Sequence, residues 1–393
     1  MGLLDKISPN VLLLGIVSFF TDVSSEMIFP LLPLFLTTYL GASQAAIGLI
    51  EGIGDSFASL LDIFVGYFAD KGGNYKRYVA YGYGLSSLVK AGIALATSWP
   101  QMIVLRGAER LGKSIRTAPR DAIISLSSDE KVRGRAFGLH RAMDTLGAIA
   151  GPAIAYVILS SLDNSEAAYR TVFWAALVPA VIAVLAIILL VREPQKSAKF
   201  KARKKLPFFQ ALGQLDVKFK RFLLISGLFS LSYFSFALLI VRASQLGVSA
   251  ERILLLYLLY NILYAAASVP VGMLSDKIGR KPIIAAAFAL FGLVCLGFAY
   301  LTAVWQIALL FALYGVFVAA DDSVNKAYIS ELVGEQKRAT ALGAYNTACG
   351  AVYLPANILF GAAWAAFGVL PAFGAAALIA FAAAVWMMAA KLK

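Results

Sequence analysis

Asp22 and Glu26 stand four residues apart within one long apolar run. Glu51 and Asp55 repeat that spacing in the next, with Asp62 two turns further along. Residues four apart share one face of a helix. A later run carries Arg106, Arg110, Lys113, Arg116 and Arg120 at intervals of three or four, with Glu109 beside Arg110, and another carries Arg141 and Asp144. An ionised side chain at the centre of a membrane helix costs roughly 2.5 to 3.5 kcal/mol even on lenient insertion scales, so these faces turn toward a cavity or toward one another. Two kinds of chemistry fit. Carboxylates in a low-dielectric cavity beside changing partners exchange protons, which makes Asp22, Glu26, Glu51 and Asp55 candidates for proton coupling. Arg106, Arg110, Lys113 and Arg116, flanked by Glu109, Arg141 and Asp144, suit a carboxylate or phosphate group, because guanidinium binds such groups bidentately. An internal ion-pair network that fixes helix packing would use the same residues, and their spacing serves both. The second half offers only Arg242, Asp321, Asp322 and Lys326 at comparable depth. His140, the single histidine, reads as an interior hydrogen-bonded residue rather than a proton relay.

The elements that must hold these residues are membrane helices. Of 393 residues, 60% are hydrophobic and 15% charged, a balance that would leave a water-soluble domain with far too much exposed apolar surface. Apolar runs at 9–39, 45–70, 77–98, 101–126, 136–161, 169–191, 221–247, 252–276, 281–302, 304–330, 338–366 and 369–390 are each long enough, as helices, to cross a hydrocarbon core about 30 Å thick. Runs of this length without strict alternation argue against barrel strands. The expected fold class is therefore an all-α membrane protein of twelve transmembrane helices.

Lysine and arginine collect in alternate connections: Lys71, Lys76 and Arg77; Lys131, Arg133 and Arg135; Lys277, Arg280 and Lys281; Lys337 and Arg338; then Lys391 and Lys393. The short turns between, near 40–45, 98–101, 301–304 and 366–369, have none. This bias predicts a multi-pass protein with both termini cytoplasmic. It accounts for the net charge of +13 without calling on nucleic acid. The first apolar run is too long for a signal peptide and lacks a cleavage pattern, so it reads as the first transmembrane helix. Cys295 and Cys349 fall within spans and read as packing residues.

Gly66-Tyr67-Phe68-Ala69-Asp70-Lys71 returns in the second half as Gly272-Met273-Leu274-Ser275-Asp276-Lys277, followed by Gly279-Arg280-Lys281, each copy between two apolar runs. Gly138 and Gly343 open later helices at nearly the same offset from it. The chain thus divides into an N-terminal six-helix bundle over 1–191, a basic cytoplasmic linker over 192–220 and a C-terminal six-helix bundle over 221–393. Duplicated bundles of this kind place a substrate site near mid-bilayer where the halves meet. Within the linker, Pro207-Phe208-Phe209 and Leu212 suit either a short interfacial helix or a solvated tether.

The repeated loop resembles the signature of the major facilitator superfamily, and the resemblance spans essentially the whole chain. The second copy matches through Gly272, Asp276, Lys277, Gly279, Arg280 and Lys281. The first keeps Gly66, Asp70 and Lys71 but is shifted before Lys76 and Arg77. Arg106 and Gly112 partly match a second motif of the family, in which Glu109 and Arg110 stand for a Gln and a Gly. Gly138, Gly147 and Gly151-Pro152 resemble the motif of its antiporters and exporters, with Ala155 and Tyr156 where a glycine pair would end it.

What the resemblance implies is a major facilitator fold, two pseudo-symmetric six-helix bundles working by alternating access. It also implies a conformational latch built on Gly66, Asp70, Lys71, Arg77, Asp121, Gly272, Asp276, Lys277, Gly279 and Arg280. Together with the charged stripes it predicts a secondary active transporter that exports a small organic anion or an anionic metal chelate in exchange for protons. A multidrug antiporter for lipophilic cations and a metabolite uptake permease are the alternatives. The expected partners are the small-molecule substrate, protons and the lipid bilayer of the plasma (inner) membrane, for a monomer. No cofactor, resident metal or enzymatic activity is expected, since HExxH, GxSxG and phosphate-loop patterns are absent from the sequence.

Overall fold

A computed structural model describes residues 7–56, 74–129, 132–194, 216–301, 303–333 and 338–391. Asp62, Gly66, Asp70, Lys71, Lys131, Lys337 and most of the linker, including Pro207, Phe208, Phe209 and Leu212, lie outside the described residues. The described residues form helices joined by short turns, with no strand among them. In chain order these are α1 (Pro9–Ile28), α2 (Leu32–Thr38), α3 (44–56), α4 (Tyr75–Leu95), α5 (Trp99–Leu126), α6 (Arg133–Ser160), α7 (Glu166–Ala175) and α8 (Leu177–Leu189). They continue as α9 (Val217–Ser232), α10 (Phe236–Gln245), α11 (Ala250–Ile278), α12 (Arg280–Tyr300), α13 (Val304–Leu332), α14 (Arg338–Phe367) and α15 (Val369–Ala389). Pairs α1–α2, α7–α8 and α9–α10 each make one crossing, so the described helices group into twelve segments. Among the described residues nine stretches are long and apolar enough to span by composition alone; α4 and α5, at 21 and 28 residues, have the length but carry internal charge, and α3 is described over 44–56.

The interruptions have local causes. Pro30 and Pro33 remove donors from the ladder between α1 and α2. The α7–α8 crossing breaks at Ala176, three residues before Pro179. Between α9 and α10, Tyr233 is extended and Ser235 starts a new helix by accepting the Ala237 amide on its hydroxyl.

The chain divides into two compact units. One comprises the described parts of Met1–Gly41 and Phe57–Arg203, the other those of Ala42–Ser56 and Lys204–Lys393. In the first, α1 packs on α6 and α8, and α4 on α5 and α8. Val11, Leu14, Val17, Val79, Ile123, Ile124 and Ile187 form an apolar cluster at one end. The chain leaving α8 turns back onto that unit. Asn10 and Arg192 exchange hydrogen bonds, Asn10 Nδ2 to the Arg192 carbonyl at 2.8 Å and the Arg192 amide to Asn10 Oδ1 at 3.0 Å. Glu193 accepts the Tyr75 and Lys76 amides at 2.9 and 2.7 Å. A carboxylate there satisfies orphan donors at the positive end of α4.

In the second unit α12 packs along α15 and α11 along α13, around an aromatic core. Phe229 stacks on Phe288 at 3.9 Å and Phe234 on Phe360 at 3.8 Å. Helix α3 belongs to this unit because of a backbone-close seam with α14: a methyl group at Gly48 would sit 2.3 Å from the Asn357 carbonyl oxygen, and Ser56 donates to the Gly350 carbonyl at 2.6 Å. Small residues of this kind are how helices associate where lipid removes any hydrophobic drive. Outward-facing Leu88, Val104, Leu189, Val269, Leu293 and Leu378 are exposed, as a lipid-facing surface requires.

Candidate functional site in the charged interior of the first unit

Helix α5 supplies the basic stripe and α1, α4 and α6 surround it. The approach of α1 to α6 is set by two glycines: a methyl group at Gly147 would lie 2.5 Å from the Phe19 carbonyl oxygen and 2.9 Å from Asp22 Cβ, and one at Gly151 would lie 2.8 Å from Glu26 Cβ. Asp22 and Glu26 therefore rise from the same side of α1 directly against the glycine face of α6. Asp22 lies in the field of Asp144, Lys113, Arg116 and Arg120.

Along α5 the charges are provided for unequally. Arg106, 3% exposed, is ion-paired to Glu109 and lies 5.7 Å from the Phe29 ring centre. Glu109 also feels Arg110 and Lys90. Arg116 is buried with its guanidinium 4.2 Å over the Tyr83 ring, a cation–π contact, and its Nη1 has no hydrogen-bond partner among the described residues. Lys113 is exposed, yet sits in the combined field of Arg110, Arg116, Asp22 and Glu109. Arg120 bonds Asp121 at 3.0 Å. On α6, Arg141 is exposed, while Asp144 Oδ2 lies 3.6 Å from His140 Nδ1 and Asp144 Oδ1 is buried without a partner among the described residues. His140 itself is buried, but its Nε2 has no hydrogen-bond partner among the described residues, so the expected hydrogen-bonded setting is met only in its burial.

The spacing therefore brings Asp22, Glu26, Arg106, Glu109, Arg110, Lys113, Arg116 and Asp144 into one neighbourhood. Glu51 and Asp55 belong to the second unit instead. Glu51, 2% exposed, accepts the Ser235 hydroxyl at 3.4 Å, and Asp55 lies near Tyr353. Two contacts in the first unit escaped the sequence reading. Lys90, 2% exposed, donates to Ser24 Oγ at 2.7 Å, and that hydroxyl donates on to the Ala176 carbonyl at the α7–α8 break. Neither partner in this chain is close to Lys90 in sequence, so no pattern announced them. In the second unit Tyr314 donates to Tyr233 at 3.3 Å, and Tyr264 donates to Asp322 at 3.0 Å.

At the repeated loop's second copy, Gly279 has φ +96°, a conformation that side chains rarely adopt, and it separates α11 from α12. Arg280 reaches Asp276 at 3.5 Å, Glu331 at 3.1 Å and the Ala327 carbonyl at 2.8 Å, tying the ends of α11, α12 and α13. Lys281 donates to the Met388 and Ala390 carbonyls, both at 2.8 Å, at the end of α15. Asp276 and Lys277 are exposed, and open space surrounds Gly272. Of the first copy's latch candidates only Arg77 is described: its side chain is exposed and its amide donates to Asn74 Oδ1 at 3.2 Å.

The sequence model of the Major Facilitator Superfamily matches residues 14–241 and 222–393. An uncharacterized MFS-type transporter of Methanocaldococcus jannaschii is 40% identical over 365 residues, covering 91% of this chain and 89% of that protein. Among solved structures, the nucleoside transporter NupG superposes with a TM-score of 0.80 at 15% identity, over 96% of this chain and 98% of that one. A D-xylose-proton symporter does so with a TM-score of 0.76 at 16% identity, over 97% of both. Twelve helical segments, a buried charged stripe and a matching family model over both halves lead to one conclusion: the chain belongs to the Major Facilitator Superfamily and is a multi-pass membrane transporter.

Proposed function

We propose that this transporter moves a small organic anion or anionic metal chelate by proton-coupled alternating access, in the direction of export, across the plasma (inner) membrane. The observation that carries the reading is the charge around Arg116. Arg116 is buried in the field of Lys90, Lys113 and Asp22, and its Nη1 donor has no partner among the described residues. An anionic ligand supplies the missing acceptor. Lys113 and Arg141 are the exposed members able to meet it first. Asp22 and Glu26 carry the proton, with Glu51 and Asp55 as further candidates in the second unit. Asp276 and Arg280 act as one cytoplasmic latch, and both termini face the cytoplasm of a monomer.

Export is favoured by the resemblance of Gly138, Gly147 and Gly151-Pro152 to the exporter motif. One observation favours uptake as a second reading. Asp22 shares the cations an anionic substrate would use, so protonating it strengthens anion binding, and co-binding is the electrostatics of symport. A thermal-shift screen of purified protein against organic acids, chelates and cationic drugs at two pH values tests the substrate class, since ligand binding adds to folded-state stability. Stabilisation by acids alone supports the reading; stabilisation by cationic drugs alone refutes it. Flux of a stabilising acid in proteoliposomes under an imposed proton gradient then separates export from uptake by its sign.

A further inference from the structure

Asp321 and Asp322 are neighbours on α13, and the second unit provides for them differently. Asp322 is ion-paired to Lys326 and accepts the Tyr264 hydroxyl at 3.0 Å. Asp321 Oδ1 accepts Asn325 Nδ2 at 2.7 Å, and the same amide nitrogen donates to the Tyr345 hydroxyl at 3.0 Å. Asn325 is 2% exposed, and its Oδ1 has no hydrogen-bond partner among the described residues. The titratable groups facing Asp321 are Asp322 and Lys326 on its own helix, and Tyr345, Cys349 and Tyr353 on α14. Helix α9 adds the hydroxyls of Ser226 and Ser230 beside Tyr345 and Cys349. Among the described residues, two carboxylates on a membrane-spanning helix thus face a single cation, Lys326, which is already paired with Asp322.

A carboxylate in that position acquires a proton or a cation, because leaving it bare in a low-dielectric interior is costly. Asn325 turns a donor toward Asp321, which repels a metal cation, and the neighbouring Asp322 charge, with Lys326 already paired to it, is what drives Asp321 to take up a proton. We propose that Asp321, with Asn325 and Tyr345, forms a proton-binding site within the C-terminal unit, separate from the carboxylates of the first unit. The site deepens the proton-coupled reading and rests on it only for the use made of the proton.

The test is infrared difference spectroscopy of the purified full-length transporter between acidic and alkaline pH. Wild-type protein and the Asp22→Asn variant should both show a protonated-carboxyl band that is lost in Asp321→Asn. The Asn325→Ala variant, which keeps the carboxyl but removes its hydrogen bond, should shift that band to higher frequency; it serves also if Asp321→Asn fails to fold. An unchanged band in both Asp321→Asn and Asn325→Ala overturns the site. Loss of the band on adding sodium at fixed acidic pH makes this a sodium site and overturns the proton assignment. Failure of proton coupling itself would appear elsewhere, as flux indifferent to a pH gradient with the Asp321 band intact.

Discussion

Replacing Gly147 or Gly151 by alanine should force α1 away from α6, whereas the same change at Gly138 should not. The added methyl at Gly147 would stand 2.5 Å from the Phe19 carbonyl oxygen, and at Gly151 2.6 Å from that of Val23. Ordinary contact begins near 3.4 Å, so α1 must retreat by about 1 Å at either point, and backbone is what has to move. Overpacking of this kind costs about 1 to 3 kcal/mol. At Gly138 nothing lies within 4 Å of the added carbon. There alanine should be neutral or stabilising by roughly 0.5 to 1 kcal/mol, through helix propensity. The assay is thermal or denaturant unfolding of the three purified variants, followed by transport. Gly147→Ala and Gly151→Ala should unfold earlier and lose transport, because Asp22 and Glu26 move with α1. Equal damage at Gly138, or none at Gly147 and Gly151, would refute the claim that this glycine series works by close helix approach.

Three further outcomes follow from single contacts. Ser24→Ala strands the buried Lys90 ammonium and should lower stability by about 1 to 3 kcal/mol in the same unfolding assay; an unchanged midpoint would show that the contact adds nothing to folding. Arg280→Ala removes the ligand of the Ala327 carbonyl along with two ion pairs and should cost about 1 to 2 kcal/mol, while Glu331→Gln breaks one half-exposed pair and should cost under about 1 kcal/mol. The reverse order would show the pair, rather than the carbonyl cap, to matter. Glu26→Gln should abolish proton-driven flux in proteoliposomes while sparing substrate exchange, and intact driven flux would take Glu26 out of the coupling role.

Apolar length made the membrane passes legible, and helical spacing made the stripe from Arg106 to Arg116 legible, because both depend on local sequence alone. The exporter-like glycines were visible as a pattern, but only the structure separates Gly147 and Gly151, pressed against α1, from Gly138 in open space. Partner choice was not legible. Glu51 looks like a companion of Asp22 by type and spacing, yet Gly48 and Ser56 on its helix seat it against α14 through contacts some 300 residues away in sequence. The Lys90–Ser24–Ala176 chain depends on a helix break and on three separate elements. Asp321 and Asn325 were the exception, since their four-residue spacing on one helix could have signalled the pair. Charge alone likewise gave no sign that Arg192 and Glu193, at the start of the basic segment, bind α1 and α4.

If the basic face of α5 recognises negative charge, removing one of its exposed cations must discriminate between a charged ligand and its neutral twin. The decisive comparison is the affinity of purified wild-type and Lys113→Gln protein for one stabilising carboxylic acid and for its neutral amide. Lys113→Gln should lose affinity for the acid by about tenfold, equivalent to about 1.4 kcal/mol, and leave the amide unchanged. Equal loss for both ligands, or none for either, would contradict charge recognition by α5.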